Sequence, residues 1–341
     1  MMQSHPYQTR MKKMKNKNEL IAEISGLVEK SNTILILGHV SPDGDCFGSM
    51  AALGMEFIRK GKTVRCAAGD GLTYKYEFIR DYIEILSAEE LYDLYKDTDF
   101  DLVITVDTAD KYRVGSLLEK VFDRQKCSVA IDHHITNPCF SNVNWIEDRS
   151  SASELVYEYL VETGADISVR TANVLFAGIM TDTGNFTYSN TTSKTFEIAA
   201  ELVKYGAETS FLAEEIDRKR TLGATLLVAH AIDTMTLHHD NRIAVMSVSY
   251  DEIYGCGALP EDCENLINFA RDIDSVEIAV LIREINPLRH KVSLRSKKYA
   301  DVAKFAACFG GGGHKHAAGC TLDGTAEEIK KKILEEAEKL I

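Results

Sequence analysis

The chain of 341 residues contains no Cys-x-x-Cys pair. Its eight cysteines, at 46, 66, 127, 139, 256, 263, 308 and 320, follow no regular framework, so neither a zinc ribbon nor a disulfide scaffold is indicated. A basic excess is also missing: 39 Lys and Arg stand against 52 Asp and Glu, a formal charge of −13. That balance excludes the broad basic footprint of a protein that coats duplex nucleic acid, and any anionic substrate must meet a locally positive site. No apolar run is long enough to span a bilayer. The first twenty residues hold Lys12, Lys13, Lys15 and Lys17 but no apolar core of a secretory signal, so no membrane association is expected and a cytoplasmic location with reduced thiols is. Internal repeats and low-complexity segments are absent. What remains is ordinary globular composition, 45% hydrophobic, at a length that suits two domains.

The first half alternates short β-branched runs, at 33–37, 63–67, 102–106 and 128–131, with helical patterns at 47–60 and 88–95. This predicts an α/β fold whose mainly parallel sheet is sandwiched by helices. After Trp145 the pattern is helical, over 153–162, 169–180, 193–205, 211–217 and 222–232. Beyond a polar stretch, β character returns at 242–248, 276–285 and 291–294, and a charged helix follows at 326–340. The expected organisation is a flexible tail over residues 1–18, a first domain over 19–232, a linker over 233–241 and a smaller α/β domain over 242–341, with an active-site cleft between the two. Met11 and Met14 make the opening residues either a frayed tail or a generous start-codon choice.

Four segments concentrate Asp and His. His39, Asp43 and Asp45 follow the first predicted strand, Asp107 the third, and Asp132, His133 and His134 the fourth; Asp182 ends an apolar helical run. Ligands of open parallel sheets bind at the carboxyl ends of strands, so the first three segments can converge. Singly, each has a plainer reading. An Asp beside Gly and Pro usually caps a turn, and a lone Asp after a strand is usually a helix N-cap. His238-His239-Asp240 is similar in composition but falls in the polar linker, and no function is assigned to it. Together the segments offer two imidazoles and four carboxylates, a hard O/N donor set suited to Mn²⁺, Mg²⁺ or Co²⁺. Without cations the carboxylates would repel one another; two divalent ions about 3.5–4 Å apart would resolve this and build a hydrolytic site.

This ordered set resembles the DHH phosphoesterase superfamily. Gly310-Gly311-Gly312-Gly313-His314-Lys315-His316-Ala317-Ala318-Gly319 is similar to the glycine-histidine signature of the domain that follows it in one branch. Val292-Ser293-Leu294-Arg295-Ser296 adds a likeness to the nanoRNase group of oligoribonucleases and pAp phosphatases. The resemblance implies a metal-binding catalytic domain over 19–232 and a substrate-binding domain over 242–341. It implies one metal on His39, Asp43 and Asp107 and a second on Asp45, Asp107, His133 and Asp182, with Mn²⁺ the first expectation. His134 and Arg295 would face the substrate phosphate, Asp132 would orient an imidazole, and Arg295, Ser296, Gly311, Gly312, Gly313 and His314 would bind substrate. Expected substrates are short single-stranded oligonucleotides or pAp, with duplex DNA excluded; relatives often pair as homodimers. Alternatives are a cyclic dinucleotide phosphodiesterase, a soluble inorganic pyrophosphatase using Lys297 and Lys298, and a non-catalytic nucleotide sensor. The glycine run lacks the Gly-Lys-Ser/Thr ending of a P-loop, and an aspartic protease pair is disfavoured because Asp182 follows a helical pattern.

Overall fold

A computed structural model describes residues 15–263 and 265–341, and the chain divides into two compact units, Met1–Arg218 and Lys219–Ile341. In the first, strands β1 (Thr33–Leu37), β2 (Thr63–Ala67), β3 (Leu102–Val106), β4 (Ser128–Asp132) and β5 (Val143–Ile146) form one sheet in the order β2-β1-β3-β4-β5. Every pairing is parallel. Successive side chains of β1 explain why both faces are covered. Ile34 and Ile36 join one apolar cluster with Phe47, Met50, Val174 and Ile179, while Leu35 and Leu37 join another with Leu91, Leu118 and Val121. The strand order reverses between β1 and β3, and the crevice outside their carboxyl ends is where this topology places ligands.

Helix Gly44–Arg59 is buried almost all round and lies unusually close to helix Val169–Asp182. The contact depends on Gly48: a Cβ there would stand 2.3 Å from the carbonyl oxygen of Val174. Close packing of these two helices brings Asp182, at the end of one, toward Asp43 and Asp45 at the start of the other.

The second unit carries a mixed sheet. Strands β6 (Thr236–His238), β7 (Ile243–Val248), β8 (Ile278–Asn286), β9 (Arg289–Ser296), β10 (Gly312–His314) and β11 (Ala317–Asp323) are ordered β10-β11-β9-β8-β7-β6, with β7 and β8 parallel and the other pairs antiparallel. Ile243, Val245, Val280 and Leu294 pack toward helices Val302–Ala307 and Ala326–Ala337; Ala244, Met246 and Leu281 pack the other way.

Several sequence expectations shift. Residues 1–14 of the expected tail lie outside the described residues, and residues 17 and 18 already belong to helix Lys17–Lys30, started by a capping box between Asn16 and Glu19. Strand β5 was not among the expected strands; Val143 and Trp145 point into the core, but four residues give too short an alternation to stand out. Helix Leu222–Asp233 was expected in the first domain. Leu227 and Ala231 instead join the core of Met246, Ile253 and Leu266, which puts this helix in the second unit. The expected linker over 233–241 contains β6, an edge strand whose pairing with β7 is invisible without the partner. Among the described residues no helix is long and apolar enough to cross a membrane.

Candidate metal centre

The loop after β1 carries the first donors. His39 is buried, its Nδ1 lies 2.7 Å from the Val40 carbonyl oxygen, and its Nε2 faces Asp107 Oδ2 at 3.3 Å and Asp43 Oδ1 at 3.9 Å. A Nδ1–H donated to the backbone leaves Nε2 with its lone pair, the tautomer that binds metals. Asp43 is the N-cap of helix Gly44–Arg59, accepting the N–H groups of Asp45 and Cys46 at 3.1 Å each. The capping role and the place beside His39 coexist in one carboxylate.

Asp107 follows β3 with φ +49°, the left-handed region, and its N–H donates to the Ile131 carbonyl at 3.1 Å. Such backbone geometry in a non-glycine residue concentrates at functional sites. Its two oxygens diverge: Oδ2 faces His39, and Oδ1 faces His133 Nε2 at 3.2 Å. His133 also faces Asp182 Oδ2 at 3.5 Å, and its Nδ1 is 3.2 Å from the Arg149 carbonyl oxygen. Asp45 is fully buried and accepts the N–H groups of Ala152 and Ser153 at 2.6 and 2.8 Å, at the first turn of helix Ala152–Glu162.

Ligand atoms of His39, Asp43 and Asp107 lie within 4.8 Å of one another, as do those of Asp45, His133 and Asp182. Atoms of Asp107, Asp132, His133 and His134 meet the same limit, so Asp107 touches both neighbourhoods. His134 is held by Asp132, Nδ1 to Oδ1 at 2.7 Å. Asp132 Oδ2 accepts Asn137 Nδ2 at 2.8 Å, and the same amide nitrogen donates to the Thr108 carbonyl at 3.0 Å. Asn137, the carbonyl of Arg149 and the N–H groups of Ala152 and Ser153 were not singled out from the sequence. Asn137, five residues beyond Asp132, had a visible signal; the others act through backbone atoms that any residue could supply.

Electrostatics tests whether this set suits cations. Burial, aided by the charges of Asp107 and Asp43, pushes Asp45 up to about 7, and burial pushes Asp182 well above the usual carboxylate range. Burial opposes charge on His39, yet its hydrogen bond to Asp107 and the carboxylates of Asp107 and Asp43 lift it to about 9; His133 is raised in the same way. Asp107, despite burial, is held far below its ordinary value by His133 and His39. Protons thus stand where positive charge is needed, and buried O and N donors of this kind fit divalent ions, whose binding would displace them.

The sequence matches two family models in succession, the DHH family N-terminal domain over residues 33–179 and the DHHA1 domain over residues 240–341. The chain belongs to the DHH family. As a DHH protein it is a phosphoesterase, a hydrolase of ester bonds. It is 29% identical to a bifunctional oligoribonuclease and PAP phosphatase, NrnA, of Thermus thermophilus, over 94% of this chain and 93% of that one. A probable bifunctional oligoribonuclease and PAP phosphatase NrnA of Streptococcus mutans is 28% identical, over 92% and 96%. The fold matches the crystal structure of an exopolyphosphatase-related protein from Bacteroides fragilis with a TM-score of 0.87 and 25% identity, covering 94% of this chain and 96% of that one.

In the second unit of this DHH protein the expected substrate-binding residues fall on β9, on β10 and, for Gly311, just before β10. Arg295 is half-buried on β9, with Nη1 donating to the Leu294 carbonyl at 3.1 Å. Ser296 is buried, its hydroxyl donates to the Ala300 carbonyl at 2.7 Å, and His316 Nδ1 lies 2.8 Å away. Four successive glycines usually mark a loop, but Gly312–His314 is an edge strand paired with Ala317–Gly319. Gly313 has φ +143°, and a Cβ there would stand 2.5 Å from the Ala317 carbonyl oxygen, so the close strand approach itself demands glycine. A Cβ at Gly311 would likewise meet the Gly319 oxygen at 2.2 Å, whereas Gly312 opens onto free space. The side chain of His314 lies outside the described residues. His238 lies on β6 and His239 and Asp240 in the following turn, within the second unit.

Proposed function

We infer that this chain hydrolyses short single-stranded oligonucleotides, dinucleotides included, to mononucleotides and removes the 3′-phosphate of pAp. The reading requires two divalent ions, Mn²⁺ foremost with Mg²⁺ or Co²⁺ able to substitute. One observation carries it: the oxygens of Asp107 diverge toward His39 and His133, each beside further carboxylates, in a chain similar over nine-tenths of its length to proteins named for these two activities. His39, Asp43 and Asp107 would hold one ion, and Asp45, Asp107, His133 and Asp182 the other. Bound there, such ions act as Lewis acids toward phosphoryl oxygens and lower the pKa of coordinated water.

The chain's own groups do the rest. His134, held at Nδ1 by Asp132, is assigned to the substrate phosphate, where its protonated ring would offset charge that builds on an oxygen. Asp132 keeps the imidazole in one tautomer, as Asn137 keeps Asp132 in one rotamer. In the second unit, Arg295, Gly311, Gly312, Gly313 and His314 are assigned to substrate binding, and Ser296 to shaping the turn that carries Lys315 and His316. A pyrophosphatase reading loses support at Lys297, whose ammonium group donates to the Ile273 carbonyl at 2.6 Å and is not presented as part of a basic cluster.

The test is a parallel assay of the full chain with Mn²⁺ on di- to pentanucleotides, pAp, cyclic dinucleotides and pyrophosphate. Turnover of the short linear substrates and pAp is expected. Exclusive turnover of pyrophosphate, or tight nucleotide binding with no turnover at all, would overturn the assignment.

A further inference from the structure

Divalent ions would balance the carboxylates of the metal centre, but not the additional negative charge that a phosphate substrate brings. The cations near the centre are mostly occupied. Lys111 pairs with Asp123 at 2.9 Å and Glu119 at 3.3 Å, and Arg149 pairs with Glu147 at 2.7 Å and Glu158 at 3.4 Å. Arg113 differs: it is exposed, and its guanidinium has no hydrogen-bond or ion-pair partner among the described residues.

Its backbone, by contrast, is firmly placed. Asp110 caps the turn Lys111–Val114 by accepting the Arg113 N–H at 3.1 Å. The Arg113 carbonyl accepts the Val40 N–H at 2.7 Å, and the Val40 carbonyl is itself the partner of His39 Nδ1, also at 2.7 Å. Two hydrogen bonds therefore link Arg113 to a residue of the metal centre. At Gly115 an added Cβ would meet Val40 Cγ1 at 2.9 Å, so this turn rests directly on the His39–Val40 loop. A fixed backbone carrying an uncommitted planar fork is a suitable arrangement for gripping two oxygens of one phosphate, and arginine does this in a way lysine does not.

We propose that Arg113 is a substrate-binding residue of the first unit, seating nonbridging phosphate oxygens of the nucleotide. The assignment rests on the phosphoesterase reading above. It concerns binding rather than the chemical step, so its signature is in KM.

Steady-state kinetics of the full chain with Mn²⁺ on a dinucleotide test it. R113A should raise KM about 10- to 100-fold, the range set by loss of a charge-assisted hydrogen bond, and leave kcat within about threefold. R113K, keeping the charge without the fork, should fall between R113A and wild type. K204A removes a cation paired with its helix neighbour Glu201 and should leave both constants unchanged. A KM for R113A within twofold of wild type, or R113K indistinguishable from wild type, overturns the proposal. If the wild type hydrolyses no nucleotide, the functional reading has failed instead. Calorimetric binding of pAp to the Mn²⁺-loaded proteins then decides Arg113, equal affinity of wild type and R113A counting against it.

Discussion

Asn137→Ala probes the support beneath His134. The native amide donates to the Thr108 carbonyl at 3.0 Å and to Asp132 Oδ2 at 2.8 Å, and its oxygen accepts the Cys139 N–H at 2.8 Å. The residue is buried, so these bonds are not simply exchanged for water. Two neutral hydrogen bonds at about 1 kcal/mol each and one to a carboxylate at about 1.5–3 kcal/mol give a loss of about 3.5–5 kcal/mol. For a unit of this size that lowers Tm by on the order of 10 °C. Catalysis should suffer separately. Asp132 keeps His134 but loses the donor that fixes its second oxygen, and loss of such an outer support costs about 10- to 100-fold, here in kcat on a dinucleotide at saturating Mn²⁺. Asn137→Asp sharpens the test because it preserves shape and removes the donor, setting a second carboxylate against Asp132. It should be no better than Asn137→Ala in either assay at neutral pH. An Asn137→Asp protein with wild-type kcat and Tm would refute the reasoning, since donation to Asp132 could then not be what matters.

Asp107→Asn removes the charge shared by both histidines; calorimetric titration should show fewer than two Mn²⁺ bound, and turnover should fall at least about 1000-fold, as expected when a bridging ligand is lost. Metal-free protein should lose stability as pH rises. Asp45 is raised from its ordinary range to about 7, so the native state holds a proton the unfolded chain releases between about pH 4 and 7. His39, raised to about 9, stabilises fully below about pH 6.5 and loses that contribution as pH climbs through 9. Added Mn²⁺ should restore Tm most strongly at the alkaline end, and thermal melts from pH 5 to 9 that are flat or rising without metal would contradict this. Ser296→Ala should lower stability by about 1–2 kcal/mol through the lost hydroxyl bonds inside the turn and leave KM nearly unchanged in urea-denaturation and kinetic measurements; a KM rise without a stability loss would restore the direct substrate contact.

The parallel core strands were readable because each is a β-branched run buried on both faces, as Leu102–Val106 illustrates. The donors were readable because the topology leaves them little choice: an Asp or His immediately after a parallel strand must emerge at the carboxyl edge. Strand β5 was missed because four residues carry almost no periodic signal, and the glycine strand because glycine's own preference is for turns. The boundary between the units was misplaced for a different reason. Helix Leu222–Asp233 has an apolar pattern that fits either unit, and only contact with Met246 and Leu266 assigns it to the second.

The sequence alone determined the α/β class, the two-part organisation and the Asp and His residues available as donors, because periodicity and strand-end position are local properties. The tertiary structure decided which donors share a neighbourhood, how Asp107 divides its oxygens between His39 and His133, and that Asn137 anchors Asp132. It also decided that the Ser296 hydroxyl is bonded inside a turn, while the Arg113 backbone is tied to the His39–Val40 loop and its guanidinium has no partner among the described residues. Those outcomes depend on which backbone N–H and carbonyl groups distant segments bring together. Residue identity does not encode that until the helices pack and the strand ends converge.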